Sequence, residues 1–205
     1  MSSTPAAVAS SSPALDRPLL DPRRVEPLEG ARLRLRLVER ADLPDLLVVH
    51  GEDEVTRFLP YKTWREMADA EQWYERAMTR HDARTALQFV IVERAGQRVV
   101  GTCLLFNPVE ESARAELGYV LGRRDWGRGL MGEALTLLLD LAYGPMELRR
   151  LEAEVDPRND PSNRLLLRLG FTREGTLRRR WVTKGEEKDT HIYGLLADEW
   201  RARRG

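Results

Sequence analysis

Glu116-Leu-Gly-Tyr-Val-Leu-Gly-Arg-Arg-Asp-Trp-Gly127-Arg128-Gly129-Leu-Met-Gly-Glu-Ala134 passes from strand formers, through a basic turn with two glycines, into an apolar helical run. A helix that starts at such a turn offers free N–H groups, and its dipole adds about half a positive charge there. Glycine lets the backbone approach a bulky anion, so strand, glycine turn and helix together describe a phosphate cradle. Arg123, Arg124 and Arg128 add side-chain charge. The plain alternative is a glycine turn that merely feeds a helix; the arginines and the strand-loop-helix context weigh against it. There is no GxxxxGK[ST], and the glycines do not fit GxGxxG after a first strand, so ATP and NAD are disfavoured ligands.

The surroundings read as a mixed sheet. Leu33, Leu35 and Leu37 alternate with arginines at period two, a half-buried strand. Asp42 before Leu43-Pro44 reads as a helix N-cap. Residues 67–79 carry Ala70, Trp73, Tyr74 and Ala77 at helical spacing. Strands are expected over 86–92 and 99–106 about a turn at Ala95-Gly96-Gln97, and again over 116–121. The strongest helix covers 130–142. It is followed by a strand over 151–155 and a short helix over 162–169, closed by Gly170. Strands over 175–183 and 189–196 flank Lys184-Gly185-Glu186. The predicted fold is α/β (α+β): a mostly antiparallel twisted sheet of about six or seven strands with helices on both faces.

The chain has 205 residues, enough for one domain. Residues 1–27 are expected to be a Ser/Ala/Pro-rich flexible tail and 28–205 the folded domain. The beginning lacks the basic start and apolar run of a secretory signal, and arginines are too scarce before Arg17 for a transit peptide. Lys+Arg and Asp+Glu are both 33, so no global positive field holds DNA or RNA. One cysteine excludes an intrachain disulfide and a CxxC-type zinc cluster, and no metal site is expected. No apolar run suits a bilayer. A reducing cytoplasm is the expected location, with neither nucleic acid nor membrane as partner.

Several motifs in order carry a family resemblance. Arg124-Asp-Trp-Gly127-Arg-Gly129 resembles the Arg/Gln-x-x-Gly-x-Gly/Ala acetyl-CoA signature of the GNAT N-acetyltransferases. Ala115-Glu-Leu-Gly-Tyr-Val-Leu, Glu133-Ala134, Leu151-Glu-Ala-Glu-Val-Asp-Pro-Arg-Asn159, Ser162, Leu169-Gly-Phe171 and Glu174-Gly175 are similar to its RimJ/RimL branch. The likeness spans about residues 33–200. It implies splayed central strands, with the strand over 116–121 parting at a bulge and leaving backbone groups free near Val120 and Leu121 for the pantetheine arm. It implies that Arg124, Trp126, Gly127, Arg128 and Gly129, with the amides of Leu130, Met131 and Gly132, hold the pyrophosphate of acetyl-CoA. Asn159 and Ser162 resemble the Asn-x-x-Ser that meets the pantetheine arm; alternatively Asn159 lies in a turn and Ser162 caps the next helix.

The implied reaction is direct attack of a primary amine, either a protein N-terminus or a small molecule, on the acetyl thioester within a ternary complex. A protonated amine has no lone pair, so a carboxylate is wanted to take its proton. Glu116 is the first candidate, against a salt-bridged glutamate on a solvated face. Many relatives carry a tyrosine acid seven residues after the Asn, where this chain has Leu166, so Ser162 and Tyr193 are further catalytic candidates. His191, on the same last strand as Tyr193, is either a further group within reach of the site or an ordinary polar strand residue, and Cys103 reads as a small core residue. Residues 58–64, with Phe58, Tyr61 and Trp64, fall where the family places acceptor loops; burial as a lid is the other reading. Arg178, Arg179 and Arg180 form a basic run, either solvated or facing an anion. The alternatives to an enzyme are a non-catalytic acyl-CoA-binding or regulatory module and a nucleotide or nucleic-acid binder. The resemblance also allows a homodimer.

Overall fold

The computed structural model describes residues 18–205; the tail reading of residues 1–17 lies outside them. One sheet has eight strands in the order β1-β2-β3-β4-β5-β6-β8-β7. They are β1 (Leu28–Glu29), β2 (Leu33–Leu37), β3 (Ala86–Glu93), β4 (Arg98–Val109), β5 (Arg114–Leu121), β6 (Arg150–Val155), β7 (Thr172–Thr183) and β8 (Glu186–Leu196). The strand beyond the six or seven expected is β1, two residues on the edge of β2. Every pairing is antiparallel except β5 with β6.

Alternation along β3 explains why helices cover both faces. Leu87, Phe89 and Ile91 enter one apolar cluster, and Val90 and Val92 enter a second. The first cluster is closed by α4 (Leu130–Tyr143) and α5 (Asp160–Leu169), through residues such as Leu135, Leu138 and Leu166. The second is closed by α1 (Leu43–His50) and α3 (Met67–Asp82), through Leu43, Leu46, Ala70 and Ala77. A four-residue α2 (Asp53–Thr56) lies between α1 and α3. The chain ends on α6 (Ala197–Arg204), which the sequence reading missed; its buried Trp200 donates its indole N–H to Asp140 on α4 at 2.9 Å.

Three local expectations need correction. The packed chain begins before residue 28. Leu19 and Leu20 are buried in the first cluster, and the Leu19 amide reaches both oxygens of the Glu110 carboxylate at 3.1 Å. Asp42 does precede α1, but its carboxylate turns back to the Glu39 amide (2.8 Å) and the Arg36 guanidinium (2.6 and 2.7 Å) rather than capping the helix. Asn159, not Ser162, caps α5: its Oδ1 accepts the Ser162 amide at 3.4 Å.

The parting of β5 and β6 positions the site. They pair in parallel over only three positions, Arg114 with Arg150, Ala115 with Leu151 and Glu116 with Glu152. Beyond Glu116, β5 stays paired with β4 up to Leu121, and β6 stays paired with β8 up to Val155. The expected bulge is on β4 instead. The register shifts between Phe106 and Val109, with Asn107 at φ 50°. A bulge re-aims a side chain, and here it is that of Asn107.

Leu20 is fully buried although it lies within the span first read as tail. Truncating a buried leucine costs roughly 2–5 kcal/mol. Leu20→Ala is therefore expected to lower the urea-unfolding free energy by about 3 kcal/mol; a loss within about 0.5 kcal/mol, typical of surface positions, would show that this segment is not part of the cooperative unit.

Candidate functional site

The glycine turn is built by buried charge. Asp125 is almost fully buried and receives Arg98 at 2.9 and 3.0 Å and Arg128 at 2.7 Å. Arg128 also binds Glu93 at 2.6 Å, and its carbonyl accepts Arg32 at 2.9 Å. Arg32 in turn holds Glu133, in the first turn of α4, through its amide and its guanidinium, both at 2.7 Å. Although burial opposes it, those contacts keep the Glu133 carboxyl below its usual range. This clamp fixes the start of α4 against β2.

What remains for a ligand is mainly backbone. Gly127 and Gly129 adopt φ 73° and 74°, the left-handed region that a side chain disfavours. A Cβ at Gly127 would meet nothing within 4 Å, so the turn faces open space. Among the described residues, the amides from Gly127 to Gly132 donate no hydrogen bond. Leu130 and Met131 bury their side chains in the core and expose only their amides as candidates. Of the three arginines, Arg128 is committed to Asp125 and Glu93, and Arg123 pairs with Glu54 at 2.7 Å while stacking on Trp126. Arg124 is exposed and forms no ion pair among the described residues. Trp126 donates its indole N–H to the Leu121 carbonyl at 2.7 Å. That group, expected to be free on the parted strand, is therefore occupied; Val120 keeps its place on the parted length of β5.

The two faces of the parted strands carry different chemistry. Toward α5, the Tyr119 hydroxyl lies 2.5 Å from Ser162 Oγ and spans the gap between β5 and α5. Burial pushes this phenol up to about 12, with the Ser162 hydrogen bond acting the other way. Tyr119 was not among the expected residues. Its signal was present in the same strand, at the alternation that puts it opposite Glu116. Leu166, where a tyrosine acid was sought, is fully buried in the core. Tyr193 is also turned into the core: its hydroxyl donates to Asn163 Oδ1 at 2.7 Å, and Asn163 holds the carbonyls of Asp156, Pro157 and Asn159. It therefore supports the turn that carries Asn159 and does not line the opening.

On the other face, Glu116, Glu152 and Glu154 gather at the vertex of the parting. Glu152 is answered by Arg114 at 2.7 Å and Arg150 at 2.8 Å. Glu154 accepts the Trp181 indole at 2.6 Å and Arg180 at 3.5 Å. Glu116 has no ion pair among the described residues; its Oε1 accepts the Asn107 amide at 3.1 Å. Burial, then the Glu154 and Glu152 charges, raise its pKa against the Asn107 hydrogen bond. It is thus a carboxylate poised nearer neutrality, held by a neutral donor.

The remaining candidates fall elsewhere. Cys103 is fully buried and burial pushes its thiol up. His191 contacts Thr176 at 2.8 Å on the final hairpin. Trp64 is buried and stacked on His50 with centroids 4.2 Å apart, so it acts as a lid on the second cluster rather than as an exposed aromatic. Among the described residues no cluster of side chains suits a metal ion, and no helix is long and apolar enough to cross a membrane.

A family profile described as an acetyltransferase (GNAT) domain matches residues 32–172. The chain is 34% identical over 177 residues to the uncharacterized N-acetyltransferase p20 of Bacillus licheniformis, covering 86% of this chain and 99% of that one. It is 29% identical over 178 residues to the [ribosomal protein uS5]-alanine N-acetyltransferase of Escherichia coli (strain K12), covering 82% and 90%. The crystal structure of a GCN5-related N-acetyltransferase from Brucella melitensis superposes with a TM-score of 0.79 at 26% identity, covering 86% of this chain and 81% of that one. A profile match over most of the folded chain and a 34% identical relative of nearly matching length agree with the parted strands and the glycine turn: the chain belongs to the GNAT acetyltransferase family.

Proposed function

We propose that this acetyltransferase moves an acetyl group from acetyl-CoA to a primary amine by direct attack in a ternary complex. The observation that carries this reading is the opening between β5 and β6, with free amides and a hydroxyl pair on one face and an unpaired carboxylate on the other. The fit to acetyl-CoA rests on the amides of Gly127 to Gly132, which suit a pyrophosphate, and on the unpaired length of β5 about Val120, which suits an amide chain. Arg124 supplies the free cation beside them, and Asn159 and Ser162 lie where the arm would end.

When bound, acetyl-CoA supplies an activated acyl group as a thioester. The chain's own part begins with the amine, whose pKa is about 8 for an α-amine and about 10 for a lysine-like one. Glu116 would accept its proton, directly or through water. The raised pKa of Glu116 makes its carboxylate a stronger base than an ordinary glutamate. The phenol of Tyr119, pushed up to about 12, stays protonated there and is placed with Ser162 Oγ to donate toward a leaving thiolate. Backbone N–H groups of β5 are available to a developing oxyanion. The ribosomal-protein-alanine relative makes a protein N-terminal α-amine one acceptor class to screen; a small amine is the other.

Two variants test the reading. Gly129→Glu places a side chain at φ 74° and a carboxylate among the amides, and should abolish acetyl-CoA binding by calorimetry in a protein that remains folded. Retained binding would place the cofactor elsewhere. Glu116→Gln should lower kcat by about 10²-fold or more while CoA affinity holds. In wild type the rate should rise with pH through a limb displaced above the usual carboxylate range, and that limb should vanish in the variant. The same shift fixes the sign for stability: the fold disfavours ionised Glu116, so the Gln variant should be at least as stable as wild type at neutral pH. An unchanged kcat would remove Glu116 from the mechanism.

A further inference from the structure

An open cleft of about 630 Å³ separates the segment 53–65 from the tip of the β7–β8 hairpin. Arg57, Lys62 and Arg65 line it from one wall, and Lys184 and Lys188 from the other, with Arg158 between them. Part of this charge is answered within the chain. Arg65 binds Asp53 at 2.7 Å, Arg158 binds Asp156 at 2.8 Å, and Lys188 lies 3.9 Å from Glu186. Arg57, Lys62 and Lys184 have no carboxylate within 4.0 Å among the described residues. Lys184 spans the walls, donating to the Thr56 carbonyl at 2.8 Å. Burial, and then the neighbouring Lys188, lower its pKa, with Asp53 acting the other way.

Two links run from the cleft toward the parted strands. Arg158 immediately precedes Asn159. Lys188 pairs across the hairpin with Trp181, whose indole binds Glu154 beside Glu116. A molecule lying in the cleft with one end at the vertex would meet carboxylates at that end and cations at the other. An amine alone satisfies only the first.

We infer that the acceptor amine is carried by an acidic molecule, whose carboxylates seat against Arg57, Lys62 and Lys184 while its amine reaches Glu116. The inference rests on the acetyltransferase reading above and names its acceptor class. The cleft volume lies within the range that holds a small ligand or a few residues of chain. Carboxylate against guanidinium and ammonium is a charge-assisted contact, strongest at low salt. A polycationic amine would be repelled by the same wall.

The test uses the full chain, as wild type and as an Arg57→Ala, Lys62→Ala double variant. Both side chains are exposed, so the fold should tolerate their loss. Calorimetry first measures CoA itself. With CoA saturating, each protein is then titrated with two matched peptides, Ala-Glu-Asp-Glu-Gly amide and its neutral counterpart Ala-Gln-Asn-Gln-Gly amide. At low salt, wild type should bind the acidic peptide about tenfold more tightly or better, and the double variant should lose most of that preference with CoA affinity unchanged. Equal or weaker binding of the acidic peptide overturns the inference, as does a preference untouched by the double substitution. Weakened CoA binding in the variant would assign these cations to a phosphate of the cofactor and overturn it equally. Failure of wild type to bind CoA rejects the cofactor reading instead; peptide preference, titrated without CoA, then still decides the inference on its own.

Discussion

The proposed site depends on two parallel strands that stop pairing after three positions. A parallel pair is bonded through slanted hydrogen bonds along its whole length, and breaking it in mid-sheet would strand polar backbone. The chain limits that penalty because each strand keeps its outer partner, β4 for β5 and β8 for β6, so only the inner edges are released. The released edges lie beside α5 on one face and beside open sheet on the other. Tyr119 braces the gap through Ser162 without closing it. The vertex is fixed by Glu152, clamped between Arg114 and Arg150, the arginine that also binds Glu174 on β7 at 2.5 and 2.8 Å. Glu116, opposite Glu152, is left with an amide donor alone.

The glycine turn shows a comparable economy of charge. Its most buried carboxylate, Asp125, takes up Arg128 together with Arg98, and Arg123 is drawn to Glu54, so of the three arginines in the motif only Arg124 is left without an ion pair among the described residues. A buried carboxylate needs such partners, and once they are supplied the turn is rigid. Amide dipoles held in place need no reorganisation when an anion arrives. On the proposed reading, side-chain charge builds the cradle and backbone charge fills it. Arginine content in a phosphate-like motif is therefore a poor count of phosphate contacts.

Much of this is legible in the sequence. Period-two leucines gave β2, the apolar run gave α4, and Gly127 and Gly129 form the turn that leads into it. What escaped depends on distant partners. Tyr119 reads only as a strand former until Ser162, 43 residues on, is beside it. Asp125 reads as a loop residue until Arg98 reaches it across 27 positions. Leu19 and Leu20 were diluted by the prolines around them, although Asp21 before Pro22 is a capping signal that the structure uses. The short, strongly charged α6 has little apolar pattern beyond Trp200. Asn107 acts through a bulge, which no residue pattern on β4 announces.

The two faces also differ in how firmly they are made. The glycine-turn side is fastened to the sheet by Glu133 on α4, which holds Arg32 just before β2, and by Asp125 in the turn, which holds Arg98 on β4 and Arg128. The cleft side is joined across its walls by the Lys184 contact to a backbone carbonyl, a neutral acceptor that leaves the ammonium charge uncancelled. A neutral acceptor can be exchanged for an anion at a net electrostatic gain, whereas the Asp125 cluster has nothing to gain by opening. Within one small domain, the rigid wall thus suits a constant partner. On the inference drawn above, the wall with uncancelled charge suits the partner that the enzyme must discriminate.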